Sequence, residues 1–176
     1  MTVVASTSVA VHRNRLMAAI HGAGRATFTC EAFEDIRDEI EPLWLLHWQE
    51  IGQDKDRVPL DPDWGRYAAL DASGHLAVVT VRKGGVLIGY AFALVDTHLH
   101  YRSTLFASLD LYYLLPAHRG GRTALRLFQA LEAELAARGV VKAVGNTKLA
   151  ADQGRLFQHL GWRETERLFV KTLGSH

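Results

Sequence analysis

The sequence predicts a mixed α/β domain, one sheet flanked by helices, and three observations point to it. Two β-rich runs, residues 76–81 and 86–95, meet across Lys83-Gly84-Gly85 and read as an antiparallel hairpin. A third run, 106–115, stops at Pro116, which has no N–H for a ladder, and a short basic glycine turn carries it into a helix. Strand, short helix and strand signals then alternate to residue 173.

With 176 residues, 48% of them hydrophobic, the chain suffices for one domain with a substantial core. It divides into an N-terminal appendage, residues 1–25, and a single domain, residues 26–176. The 20 basic and 19 acidic side chains, net +1, are mixed along the length, so neither nucleic acid nor a membrane is expected as a partner. No apolar run is long enough to span a membrane, and the apolar N-terminus lacks the basic flank of a secretion signal. Cys30 is the only cysteine, which excludes an internal disulfide and a multi-cysteine zinc site and fits the reducing cytoplasm.

Residues 28–33 read as a first strand. Ile36, Ile40, Leu43, Trp44, His47 and Trp48 then form a helical stripe that Pro42 is expected to kink or split. After a polar loop, Asp61 is placed as the N-cap and Pro62 in the first turn of a short helix carrying Trp64 and Leu70. The hairpin follows, an interruption at residues 98–102, and the strand 106–115. Ala124, Phe128, Leu131 and Leu135 recur at helical spacing, so a helix runs from about Thr123 to Arg138, with Gly139 as its stop. Residues 140–144 form a strand, 152–160 a short helix stopped by Gly161, and 162–173 a final strand. There is no internal repeat and no low-complexity segment.

The turn between strand and helix, Pro116-Ala117-His118-Arg119-Gly120-Gly121-Arg122-Thr123-Ala124, carries the chemistry. The first amides of a helix have no partner within it and sit at the positive end of its dipole, and Arg119 and Arg122 add full charges. An anion such as a pyrophosphate is the natural occupant. Glycines that merely shape a turn are the plainer account of the same residues. No Gly-Lys-Ser/Thr follows, and Gly-x-Gly-x-x-Gly is absent, so this is neither a P-loop nor a dinucleotide fingerprint.

With this turn, the helix after it, and the short helix ending in Leu160-Gly161-Trp162, residues 26–173 resemble a GNAT acyltransferase. Val58-Pro59-Leu60-Asp61 and Leu99-His100-Tyr101-Arg102 are most similar to acetyltransferases of phages and bacteria. The family turn reads Gln/Arg-x-x-Gly-x-Gly/Ala; Arg119 and Ala124 match its ends, whereas Arg122 stands where its middle glycine is expected. The resemblance implies a mostly antiparallel twisted sheet splayed where acetyl-CoA, or another acyl-CoA, binds. Tyr112, Tyr113 and Leu114 would offer backbone groups to the pantetheine arm, and Arg119, Gly120, Gly121, Arg122, Thr123 and Ala124 would hold the pyrophosphate. Asn146 and Phe157 fall at or near further cofactor-contact positions.

The chemistry so implied is direct attack of a primary amine, on a small molecule or a peptide, on the thioester; no enzyme nucleophile is needed. The tyrosine that serves the family as general acid falls on Phe157, which has no hydroxyl, leaving Tyr112, Tyr113 or water. Asp110 is a candidate base, with a salt-bridged or solvent-facing strand residue as the plainer reading; His98 and His100 are others. Two histidines at that spacing lack a third ligand, so no metal is expected. Trp44, His47, Trp48, Trp64 and Tyr67 would wall the acceptor side. A different class of function, an acyl-CoA-binding sensor or interaction protein with little activity, uses the same cleft. Exposed strand edges and apolar aromatic surface are compatible with a homodimer.

Overall fold

A computed structural model describes residues 24–173. The appendage expected over residues 1–25 lies outside them, apart from Gly24 and Arg25. Five strands form one sheet in the order β1 (Ala26–Cys30), β2 (Leu76–Lys83), β3 (Val86–His98), β4 (Tyr101–Leu114) and β5 (Val140–Val144). All neighbours are antiparallel except β4 and β5, which run parallel because helix α3 (Thr123–Ala137) carries the chain back across the sheet. The other helices are α1 (Phe33–Ile51), α2 (Trp64–Ala72) and α4 (Gly154–His159).

The β2–β3 turn is made by Gly84 and Gly85, with φ of 57° and 79°, the pair of positive values that a two-residue hairpin turn requires. Residues 76–81 and 87–93 are buried without a break, the mark of strands covered on both faces. Consecutive tyrosines on β4 show which helix covers which face. Tyr112 packs edge-on against Phe128 of α3 at 5.2 Å, while Tyr113 stacks on His47 of α1 at 4.8 Å. Phe92 of β3 anchors the α1 side, meeting Phe33, Trp44 and Tyr67 at about 6 Å.

Several boundaries differ from expectation. Phe33 opens α1 instead of ending the first strand, and the chain leaves β1 at Cys30. Helix α1 runs unbroken through Pro42, because Ile36, Ile40, Leu43, Trp44 and His47 are buried along one face on both sides of it. Asp63, not Asp61, caps α2, its carboxylate accepting the Arg66 N–H at 2.9 Å, so Pro62 precedes the cap. Residues 98–102 are the tip of a second hairpin. Residues 162–173 form no strand: they have no ladder partner, and Leu168, Phe169, Val170 and Leu173 are exposed.

Candidate active site

A cleft opens where β4 and β5 part. Their pairing runs from Leu105↔Val140 to Ser108↔Val144 and stops there, whereas β4 continues to Leu114. A Cβ on Gly145 would lie 2.5 Å from Leu109 Cδ1, so the chain leaves β5 through a residue that must be small. Beyond Ser108, the β5-facing edge of β4 has no strand beside it, and its N–H and C=O groups can pair with an extended, amide-bearing ligand. The cleft measures about 610 Å³ and is walled by α1, the α1–α2 connection, β4, the start of α3 and residues 146–156.

The basic turn lies at one end. A 3₁₀ turn, Pro116–His118, ends β4, and the ladder of α3 starts with the Arg126 N–H donated to the Arg122 carbonyl at 3.0 Å. Amides ahead of that bond face out of the helix end together with the positive pole of its dipole. Arg122 is exposed and makes no ion pair among the described residues. Arg119 is placed differently from expectation. Its Nε donates to the Leu114 carbonyl at 2.8 Å, and Nη1 and Nη2 donate to the Glu50 carboxylate at 2.5 and 2.7 Å. Its backbone N–H donates to the Pro116 carbonyl at 3.2 Å. The guanidinium fork therefore ties the turn to α1, and both it and the Leu114 carbonyl are engaged.

Asp110 enters the cleft through a β-bulge. Phe92 pairs with Leu111 and Ala93 with Leu109, which leaves Asp110 as the extra residue of β4. Strict alternation from Tyr112 would send Asp110 to the α3 face; the bulge turns it to the α1 and α2 side. There the Tyr67 hydroxyl donates to Asp110 Oδ2 at 2.5 Å. Burial, then the hydrogen bond to Asp110, push the Tyr67 phenol far above its ordinary value, so it stays a donor.

A second polar group lies next to it. His47 is buried, its Nδ1 sharing a hydrogen bond of 2.9 Å with the Tyr90 hydroxyl while its ring lies on Tyr113. Burial lowers its pKa to about 4, and Arg119 and Lys148 push the same way against the opposing charge of Glu50; it is a neutral imidazole at pH 7. Hydrogen bonds from Arg119 hold the Glu50 carboxyl below its ordinary range. Burial and the Glu50 charge raise the Tyr113 phenol, which keeps its proton.

Asp110, Tyr112, Tyr113, Leu114, Arg119, Ala124 and Asn146 are thus brought to one cleft. Gly120, Gly121, Arg122 and Thr123 form the turn at its end. The Tyr112 hydroxyl donates to the Asn146 carbonyl at 3.0 Å, bridging the mouth. Phe157 is buried in a stack with Tyr112, Phe128 and Trp162, beneath the cleft rather than in its lining. His98 and His100 are not brought in: they sit at the exposed hairpin tip, twelve and ten residues before Asp110, ahead of a strand that rises about 3.3 Å per residue. Among the described residues no group of three or more His, Cys, Asp or Glu is arranged to hold a metal. Glu50 and Lys148 are cleft residues that the sequence did not single out; Glu50 lies one helical turn after His47, the only signal available.

Comparison with known proteins agrees with this architecture. A ribosomal-protein-alanine N-acetyltransferase from Brucella melitensis biovar Abortus 2308 superposes with a TM-score of 0.64 at 19% identity, covering 85% of this chain and 100% of that one. The aminoglycoside N-acetyltransferase AAC(6')-Iy, solved with CoA, gives 0.62 at 21% identity over 86% and 96% of the two chains. A predicted acetyltransferase from Clostridium acetobutylicum, solved with acetyl-CoA, gives 0.62 at 15% over 84% and 96%. At these identities the likeness is one of fold. No curated protein matches the chain in sequence. The model of the acetyltransferase (GNAT) family matches residues 33–162, from the first residue of α1 to the tryptophan after α4, and so takes in every wall of the cleft: the chain belongs to that family.

Proposed function

We propose that this acetyltransferase moves the acetyl group of acetyl-CoA onto a primary amine by direct attack, with Asp110 as the proton acceptor. The observation that carries the reading is the β4 bulge, which puts a carboxylate beside the one stretch of β4 edge left open for a ligand. Structural neighbours solved with CoA and acetyl-CoA support the donor. The amides of residues 120–124 and the free Arg122 take the pyrophosphate, and the open edge of β4 takes the pantetheine arm. Asp110, oriented by Tyr67, takes the proton lost by the amine as its nitrogen bonds the thioester carbon and the C–S bond breaks. Tyr113, whose proton is held by burial, donates to the departing thiolate and is reprotonated from solvent. Both tyrosine hydroxyls have protein partners, Tyr112 the Asn146 carbonyl and Tyr113 the Glu50 carboxylate, so Tyr113 exchanges Glu50 for the thiolate as the C–S bond breaks.

Asp110→Asn tests the base: the acetylation rate is expected to fall about 10²–10⁴-fold with acetyl-CoA affinity kept within twofold. An undiminished rate removes Asp110 from the mechanism, and acetyl-CoA binding without turnover of any amine favours a sensor. A homodimer belongs to the same reading, supported by the outer edge of β5 and by exposed Leu168, Phe169, Val170 and Leu173. Sedimentation velocity reads it as a species of twice the 19.6 kDa chain mass, and a monomer at all concentrations refutes it. A cytoplasmic location is supported by the unpaired Cys30; cell fractionation tests it. Among the described residues no helix is long and apolar enough to cross a membrane.

A further inference from the structure

The acceptor side of the cleft carries an apolar wall that the core does not use. The connection between α1 and α2 brings Val58, Pro59, Leu60 and Pro62 to the cleft, in company with Trp48 and Tyr67. Val58 is 55% exposed and Leu60 37%, and neither belongs to the hydrophobic core. Apolar side chains lining a concave site and left in water are complementary to an apolar ligand group.

The charges lining the same cleft are few and partly cancelled. Glu50 is neutralised by the two-pronged contact with Arg119. Asp110 and Asp61 are the remaining carboxylates of the lining, and Lys148 is its remaining lysine. Lys55 lies over the Trp48 ring at 5.5 Å, flanked in sequence by Asp54 and Asp56. A polycation would meet only two unpaired carboxylates in the lining, Asp110 and Asp61, with Lys148 against them, whereas one ammonium is matched by Asp110.

We infer that the acceptor is a monoamine with an apolar aryl or alkyl body, its nitrogen at Asp110 and its body against Val58, Leu60 and Trp48. The inference rests on the acetyl-transfer reading above. The reaction balances as ammonium plus acetyl-CoA giving amide, CoA thiol and one proton: a C–N bond forms, the C–S bond breaks, and of the two protons the nitrogen loses, one passes through Asp110 to water and the other is matched by the proton Tyr113 gives to the thiolate. The wall could also serve a long acyl chain on the donor, so the test separates the two sources.

Thiol release is followed with the full chain, acetyl-CoA and four amines: phenethylamine, hexylamine, spermidine and kanamycin. The monoamines are expected to lead by at least about 10-fold in kcat/KM, and Leu60→Asp to narrow that lead about 10-fold with the KM for acetyl-CoA unchanged. Polycations in the lead, or a ratio unmoved by Leu60→Asp, overturn the inference. So does a variant that loses a preference for hexanoyl-CoA over acetyl-CoA while its amine ratio stays put. If acetyl-CoA raises the unfolding temperature but no amine is acetylated, the acceptor inference falls and the cofactor site stands; without that rise both fall.

Discussion

His47 is the titratable side chain whose surroundings depart furthest from water while it still faces the cleft. Tyr90 and Tyr113 enclose it, and Glu50, Arg119 and Lys148 supply the nearby charge. Its pKa falls from 6.5 in the unfolded chain to about 4 in the folded one, chiefly through burial. Between those values the unfolded state binds the proton and the folded state does not, so stability rises with pH across the window. The contribution is full above pH 6.5 and is lost as the pH falls toward 4, to a total of about 3 kcal/mol. Glu50, held low by Arg119, keeps its share above the ordinary carboxylate value and loses it as the pH falls from there, so most of the His47 window lies above its own. Urea unfolding at pH 7.5 and 4.5 is expected to show a loss of about 2–3 kcal/mol in the native chain and under about 1 kcal/mol in His47→Gln. Equal losses refute the assignment. The sequence offered His47 as one position in an apolar stripe and as part of the acceptor-side wall, but not its bond to Tyr90, which lies 43 residues away. Asp110 could be named from sequence as a carboxylate in the right strand, yet its partner Tyr67, also 43 residues distant, and the bulge that turns it left no local trace.

The paired strands β3 and β4 decide the geometry that those residues share. Gly89 of β3 faces Leu114, and a Cβ there would lie 2.6 Å from the Tyr113 carbonyl oxygen and 2.8 Å from Leu114 Cδ1. Backbone cannot yield as a flexible side chain does, so Gly89→Ala must push β4 outward at the residues that border the cleft. The expected cost is about 1–3 kcal/mol in urea unfolding, together with a raised KM for acetyl-CoA; unchanged values in both would show that β4 gives way freely. Elements whose signal is local were legible. The β2–β3 hairpin was marked by its glycine pair, α3 by its apolar period, and β5 by a β-branched run between a glycine stop and a polar loop. Elements whose fate depends on a partner were not. Residues 162–173 have a strand's composition but pair with no strand of the sheet, and composition cannot report whether a neighbour pairs. Pro42 carries a strong breaker signal, which the buried face of α1 on both sides of it outweighs.

At the scale of the whole chain, the cleft brings together α1 through Glu50, the turn through Arg119, and β4 through Asp110 and Tyr113. A ligand laid along the open edge would bind the folded state and not the unfolded one, so it must raise the unfolding temperature. At roughly 100 times its dissociation constant acetyl-CoA adds about 2.7 kcal/mol, a rise of about 5–10 °C for a chain of this size. The two arginines of the turn should then separate. Arg122 makes no ion pair among the described residues, so Arg122→Ala is expected to leave the ligand-free midpoint in place and shrink the rise, with acetyl-CoA bound about 10-fold more weakly. Arg119 already spends its fork on Glu50 and Leu114, so Arg119→Ala should lower the ligand-free midpoint by a few degrees, the scale of about 1 kcal/mol. Thermal unfolding of the three proteins with and without acetyl-CoA reads both effects at once. If Arg119→Ala abolishes the rise while its ligand-free midpoint is unmoved, the ion pair with Glu50 yields to the ligand and the guanidinium belongs to the pyrophosphate after all.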